Sequence, residues 1–193
     1  MLFAGFETTS RLLFWAAYLL ALDQSEQAAV RKEVAHFTPD QVSRLDDLQN
    51  WPRLRLVLLE TLRLYPPAPN IVREALEADE VGGESVRPGD QIWISPWVMH
   101  RHRRLWSQPT QFVPERFEGL PSPWTGGAFM PFGGGPRICI GASFAMAEAQ
   151  IVMATLIHRY SFSLADTRPV MPVAIMTMGA SRRPMFRMQP TLL

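Results

Sequence analysis

Fifteen of the seventeen prolines in this 193-residue chain lie at or beyond residue 66. Proline has no backbone N–H, and in a helix interior its ring clashes with the preceding turn. Helices are therefore expected ahead of that point, with short strands, turns and loops behind it. Residues 1–22 are very apolar, but the uninterrupted run Leu12–Leu22 falls short of the roughly 20 residues a membrane span needs, and Glu7 and Arg11 interrupt anything longer. No basic segment of the signal-peptide kind precedes it. A buried helix, apolar on most faces, is the expectation. It begins at or beside Met1 with no Ser, Thr, Asp or Asn ahead of it to cap it, so the sequence enters a helix midway.

Further helices are expected from Ser25 to about His36, after Thr38-Pro39-Asp40-Gln41, which reads as a capping-box start, and over Pro52–Leu64, ended by Tyr65-Pro66-Pro67. Strands are expected at Ile71–Ala75, Ser85–Val86 and Gln91–Ile94, separated by turns at Gly82-Gly83 and Pro88-Gly89-Asp90. Between Phe117 and Pro136 the chain is dense in Pro and Gly without periodicity, and loops of that length tend to be functional. Ala142–Arg159 is Ala-rich and helical. Alternating stretches near Phe162–Leu164, Val173–Met178 and Met185–Met188 suggest a small sheet.

With 47% hydrophobic and 19% charged residues and a net charge of +1, the composition is that of an ordinary soluble globular protein. Disorder and a nucleic-acid-binding tail are excluded. Cys139 is the single cysteine, which removes intrachain disulfides and multi-thiolate zinc sites. The charges are uneven: residues 81–193 carry 11 basic and 6 acidic groups, a difference of +5. That part could face an anionic group or an acidic partner.

The sharpest local feature is Phe132-Gly133-Gly134-Gly135-Pro136-Arg137-Ile138-Cys139-Ile140-Gly141. A cysteine on a glycine-rich loop that opens a helix lies near the positive end of the helix dipole, within reach of free backbone N–H groups, and both favour thiolate. A buried structural cysteine is the plainer alternative. Neither phosphate-loop pattern is present. A Cys/His hydrolase finds no support in the spacing of His36, His100, His102 and His158, and the His100/His102 pair lacks a third metal ligand.

This segment resembles the cysteine loop of the cytochrome P-450 haem-thiolate monooxygenases, F-x-x-G-x-R-x-C-x-G, at all five fixed positions. The resemblance implies that Cys139 is the proximal thiolate ligand of haem iron, that Arg137 meets a haem propionate, that Phe132 packs beside the sulfur, and that Gly135 and Gly141 let backbone approach closely. Glu60-Thr61-Leu62-Arg63 resembles the family's E-x-x-R, and Pro114-Glu115-Arg116-Phe117 its P-E-R-F. Glu60, Arg63 and Arg116 would form a buried structural trio fastening the loop ahead of Cys139. Ala4-Gly5-Phe6-Glu7-Thr8-Thr9 is similar to A-G-x-[DE]-T-[TS] in the helix across the distal haem face, which implies that Glu7 and Thr8 hold a water chain for proton delivery. Arg73 resembles a second propionate-binding position, and His100-Arg101, Trp106 and Phe112 the stretch leading into P-E-R-F.

The resemblance runs from residue 4 almost to the C-terminus but covers only the C-terminal part of the family's fold. The expectation is thus a mainly α chain with small β-sheets, an incomplete cytochrome P-450 fold, with residues 1–193 as its C-terminal haem-binding portion and the N-terminal portion absent. The implied activity is insertion of one oxygen atom from O2 into a small apolar organic substrate. It would use haem b and electrons from a redox partner, a ferredoxin or a flavoprotein reductase. Ile71, Val72, Ile175 and Met176 are placed near the pocket by the resemblance, and Arg101, Arg103 and Arg104 are candidates to meet an acidic partner. The alternative is a truncated, non-catalytic product with weak or no haem binding. No nucleic acid is expected as a partner, and the location expected is cytoplasmic.

Overall fold

In the computed structural model, which describes residues 2–36, 45–120 and 127–191, three long helices meet around one apolar core. The first, α1 (Leu2–Leu22), buries Leu12, Trp15, Ala16, Leu19 and Leu20. Their spacing of three and four residues makes one continuous face. That face packs against α3 (Pro52–Leu64) and α5 (Ala142–Arg159), while α2 (Gln24–Glu33) closes the side. No helix among the described residues is long and apolar enough to cross a membrane.

The helix ends follow local chemistry. Pro52 occupies the first turn of α3, where a missing N–H costs nothing. The residue ahead of it, Trp51, makes no side-chain cap. Glu33 of α2 does so instead, accepting the Arg53 and Leu54 N–H groups at 2.7 and 2.9 Å. Helix α2 starts one residue earlier than its sequence suggests, because Asp23 accepts the Glu26 N–H at 2.9 Å, and it ends at Glu33 rather than His36. The expected capping box at Thr38–Gln41 lies outside the described residues.

Among the described residues, eight short strands form four separate antiparallel pairs. Strand β1 (Ile71–Glu74) pairs with β4 (Gln91–Ile94), and between them β2 (Asp79–Val81) pairs with β3 (Glu84–Val86) around Gly82-Gly83. Beyond α5, β5 (Tyr160–Leu164) pairs with β8 (Phe186–Pro190). The stretch expected as one strand near Val173–Met178 is two, β6 (Pro172–Ala174) and β7 (Met178–Ala180), with the chain reversing between them. Its alternating apolar residues include Ile175 and Met176, exposed at this reversal. The C-terminal strands thus form two ladders instead of the single sheet expected.

Long-range hydrogen bonds lock these ladders to the helices. Buried Gln27 donates to the Leu20 and Phe162 carbonyls and accepts the Phe162 N–H, at 2.8 to 3.0 Å. Trp15, stacked on Tyr65 with ring centroids 3.9 Å apart, donates its indole N–H to the Met178 carbonyl at 3.0 Å.

Candidate functional site

The cysteine loop is built by short backbone hydrogen bonds. The Gly133 N–H donates to the Met130 carbonyl (3.1 Å), the Ile138 N–H to Gly135 (3.1 Å) and the Cys139 N–H to Phe132 (2.9 Å). A 3-10 turn at Gly135–Arg137 leads to Gly141, which caps α5. Gly135 has φ +68°, a left-handed conformation that disfavours any side chain even though the space beside it is open. The result presents Cys139 exposed at the surface, with Arg137 exposed and Phe132 half-buried against the core. Ile138, Ile140 and Phe144 are exposed nearby in the chain. Buried structural cysteine is therefore the wrong reading of Cys139. The Cys139 N–H donates within the loop, and Sγ stands 3.9 Å from where a Cβ on Gly141 would lie.

A second cluster, of charged side chains, lies where α3 meets residues 100–116. Glu60 and Arg63, both 0% exposed, form a two-pronged pair with Nε and Nη2 donating at 2.7 and 2.8 Å. Glu60 also accepts Arg116 Nε at 3.0 Å and the Val113 N–H at 2.9 Å. Arg63 donates further to the carbonyls of His100, Pro109 and Gln111 at 2.7, 2.7 and 3.0 Å. Arg116 reaches the Ser107 carbonyl at 3.0 Å, and both guanidiniums lie over the Trp106 ring. Every charge in the trio is met by hydrogen bonds, the condition under which a buried ion pair can be kept. The trio thereby ties α3 to residues 100–116.

Across the fold, α1 carries Glu7 and Thr8. Glu7 Oε1 accepts Thr177 Oγ1 at 2.8 Å and Arg11 Nη2 at 3.2 Å. These two contacts, the Thr177 hydroxyl first, hold the carboxyl below its ordinary pKa, so it stays an anion. Thr8 Oγ1 donates to the Ala4 carbonyl at 2.6 Å. Thr177 lies between β6 and β7, and no local signal marked it as a partner of Glu7.

Comparison with known proteins bears directly on this arrangement. The family model described as Cytochrome P450 matches residues 1–185. The chain belongs to the cytochrome P450 family. It is 40% identical over 177 residues to a cytokinin hydroxylase of Arabidopsis thaliana, covering 91% of this chain and 34% of that protein. It is 37% identical over 163 residues to cyclooctatin synthase of Streptomyces melanosporofaciens, covering 83% and 35% respectively. A zebra fish cytochrome P450 solved with progesterone superposes with a TM-score of 0.84 at 31% identity, over 97% of this chain and 43% of that one. The chain thus has part of a P450 fold, mainly α with small sheets, and spans about a third of the length of these curated relatives.

P450 membership implies a haem, and the residues present fit one. The one cysteine, exposed, offers the soft thiolate that haem-thiolate chemistry needs. Large apolar side chains are exposed on each of the segments concerned: Phe6 on α1, Ile138 and Ile140 on the loop, and Ile175 and Met176 between β6 and β7. Arg137 offers a free-standing guanidinium. Arg73, half-buried on β1, donates to the carbonyl of its own neighbour Val72 at 3.0 Å.

One other expectation, that for Arg101, is corrected. Beside it, His100 and His102 make separate hydrogen bonds, and no cluster of three or more metal-ligating side chains exists among the described residues. His100 is buried and its Nε2 accepts the Met130 N–H at 2.9 Å, while His102 Nδ1 accepts the Arg104 N–H at 3.3 Å. Arg101 is no solvated cation of a docking face. Its guanidinium lies 3.3 Å from the Trp97 ring centroid and donates to the Leu64 carbonyl at the end of α3, and burial lowers its pKa to about 10. Only Arg103 and Arg104 of that basic run are exposed.

Proposed function

We propose that residues 1–193 are the C-terminal haem-binding portion of a monooxygenase that inserts one atom of O2 into a small apolar substrate and reduces the other to water with two electrons and two protons. The observation that carries this reading is the exposed Cys139 on a loop whose turns are closed by the Gly133, Ile138 and Cys139 N–H groups, at the start of α5. Bound haem b would supply oxygen activation, with the Cys139 thiolate as axial ligand. Arg137 and Arg73 would hold the propionates by charge-assisted hydrogen bonds, Phe132 would shield the sulfur, and Gly135 and Gly141 would keep the approach free of side chains. The relatives named as hydroxylases support the same reaction class.

On α1, Glu7 and Thr8 would manage protons. Both contacts to Glu7 reach Oε1, so Oε2 keeps its lone pairs for a water, and rotation of Thr8 Oγ1 off the Ala4 carbonyl frees a donor beside it. Electrons would come from a ferredoxin or flavoprotein reductase, with Arg103 and Arg104 available to its acidic groups. The exposed Val72, Ile175 and Met176 favour an apolar substrate.

The deciding test is Cys139→Ser in the intact haem-loaded protein. The wild type is expected to show the red-shifted Soret band of a thiolate-ligated, reduced carbon monoxide complex, and the variant to lose it. A variant that keeps the band sinks the assignment. Separately, Thr8→Ala is expected to fold, bind haem and divert most of its reducing equivalents to peroxide, because a positioned proton-transfer group contributes about 10²–10⁴-fold to its step. Product formed in full proportion to electrons consumed would remove Thr8 from the proton path.

A further inference from the structure

Between the buried charge cluster and the cysteine loop stands a side chain that neither needs for its own charge balance. His100 follows the short helix α4 (Pro96–Met99), its N–H donating to the Pro96 carbonyl at 2.8 Å, and it is 0% exposed. Its ring packs against Phe129 and Trp106, with centroids 5.1 and 6.5 Å away. Its own carbonyl accepts Arg63 Nη1 at 2.7 Å, and its Nε2 accepts the Met130 N–H at 2.9 Å. On the other side of the Met130 Cα, its carbonyl accepts the Gly133 N–H, and the carbonyl of that same peptide group, Phe132, accepts the Cys139 N–H.

We propose that His100 is a positioning residue for the cysteine loop, its Nε2 serving as the acceptor through which the Glu60–Arg63 pair sets the backbone that carries Cys139. The inference deepens the reading of Cys139 as haem ligand and rests on it for its functional meaning. An Nε2 that accepts places the ring proton on Nδ1, which makes no hydrogen bond of normal geometry and has only the Arg63 and Leu62 carbonyls as weak acceptors. A phenylalanine would fill the same aromatic niche without burying that poorly met donor. What the imidazole supplies in exchange is the acceptor for Met130. Burial and the guanidiniums of Arg63 and Arg101, the charged groups that face the ring, all oppose a second proton, against the Arg63 and Leu62 carbonyls that favour it. The acceptor is therefore kept in its neutral form near neutral pH.

Two variants separate an acceptor from a filler, because the two roles predict opposite orders. His100→Phe keeps volume and ring contacts but removes the acceptor, whereas His100→Gln keeps an acceptor at similar reach. In residue-resolved hydrogen exchange of the intact protein without haem, His100→Phe is expected to speed the Met130, Gly133 and Cys139 amides about tenfold or more while leaving α1 and α5 near wild type. His100→Gln is expected to restore protection. In the haem-loaded protein, the thiolate-type band of the reduced carbon monoxide complex should shrink in His100→Phe and recover in His100→Gln. Unchanged exchange in His100→Phe, equal acceleration throughout α1 and α5, or an unaltered thiolate band overturns the proposal. A wild type with no thiolate band at all defeats the haem reading instead, and the exchange result still reports whether His100 sets the loop.

Discussion

Glu60→Ala is expected to destabilise the fold by about 3–5 kcal/mol, the range seen when one partner of a buried ion pair is removed. The carboxylate accepts four hydrogen bonds, from Arg63 Nε and Nη2, Arg116 Nε and the Val113 N–H. Alanine removes all four acceptors and leaves two guanidiniums near one another, Arg63 at 0% and Arg116 at 9% side-chain exposure. Arg63 would retain its three carbonyl partners, so its hydrogen bonding survives in part while its charge goes unanswered. Against a typical total stability of about 5–15 kcal/mol, the loss is enough to deplete folded protein. Glu60→Gln should fall between the two, since an amide oxygen still accepts but carries no charge. Denaturant unfolding measures it, as a lowered midpoint with an unchanged slope. A change below about 1 kcal/mol would place Glu60 among solvated surface pairs and remove the trio's structural role.

The second large effect is a dependence on pH that one side chain should dominate. His100 has its pKa lowered to about 4, chiefly by burial, from an ordinary value of 6.5. Below 6.5 the unfolded chain takes up a proton at this site that the folded chain refuses, so unfolding becomes easier as pH falls. The stability in question is fully present above about pH 6.5 and is lost on descending to about pH 4. At 1.36 kcal/mol per unit, the loss from this group reaches about 3 kcal/mol. His100→Gln has no ring to titrate and should flatten that part of the profile. Asp166, whose carboxyl is held at about 2 first by Arg168 and also by Arg182, gives up its contribution only as the pH falls below about 4, a lower window. Unfolding free energies at pH 7 and pH 4.5 for both proteins provide the check. Parallel profiles for wild type and His100→Gln would mean that His100 already takes up its proton in the folded chain as readily as in the unfolded one.

What could be read from the residues was whatever a few neighbours decide among themselves. Pro52 in a first turn and Tyr65-Pro66-Pro67 after the last bound α3 at both ends, and Gly141 marks the start of α5. Backbone stereochemistry acts over three or four residues, so such signals survive without knowledge of the fold. The same holds for the cysteine loop, where glycines, an arginine and one cysteine at short fixed spacing carry the family resemblance, and for Glu60 and Arg63, one helical turn apart. Their burial was legible from the surrounding leucines, although Glu33 capping the helix they sit on was not.

Tertiary structure decided the rest, because those contacts join segments whose separation leaves no local trace. Thr177 meets Glu7 across 170 residues, and Trp15 finds the Met178 carbonyl across 163. Arg101, which read as a member of an exposed basic run, turns inward because Trp97 offers a ring face and Leu64 a terminal carbonyl, and its neighbour His100 does so toward the Met130 N–H. None of these partners is chosen by propensity or spacing. Each follows from how α1, α3 and α5 pack, which brings distant polar groups out of water together and obliges them to satisfy one another.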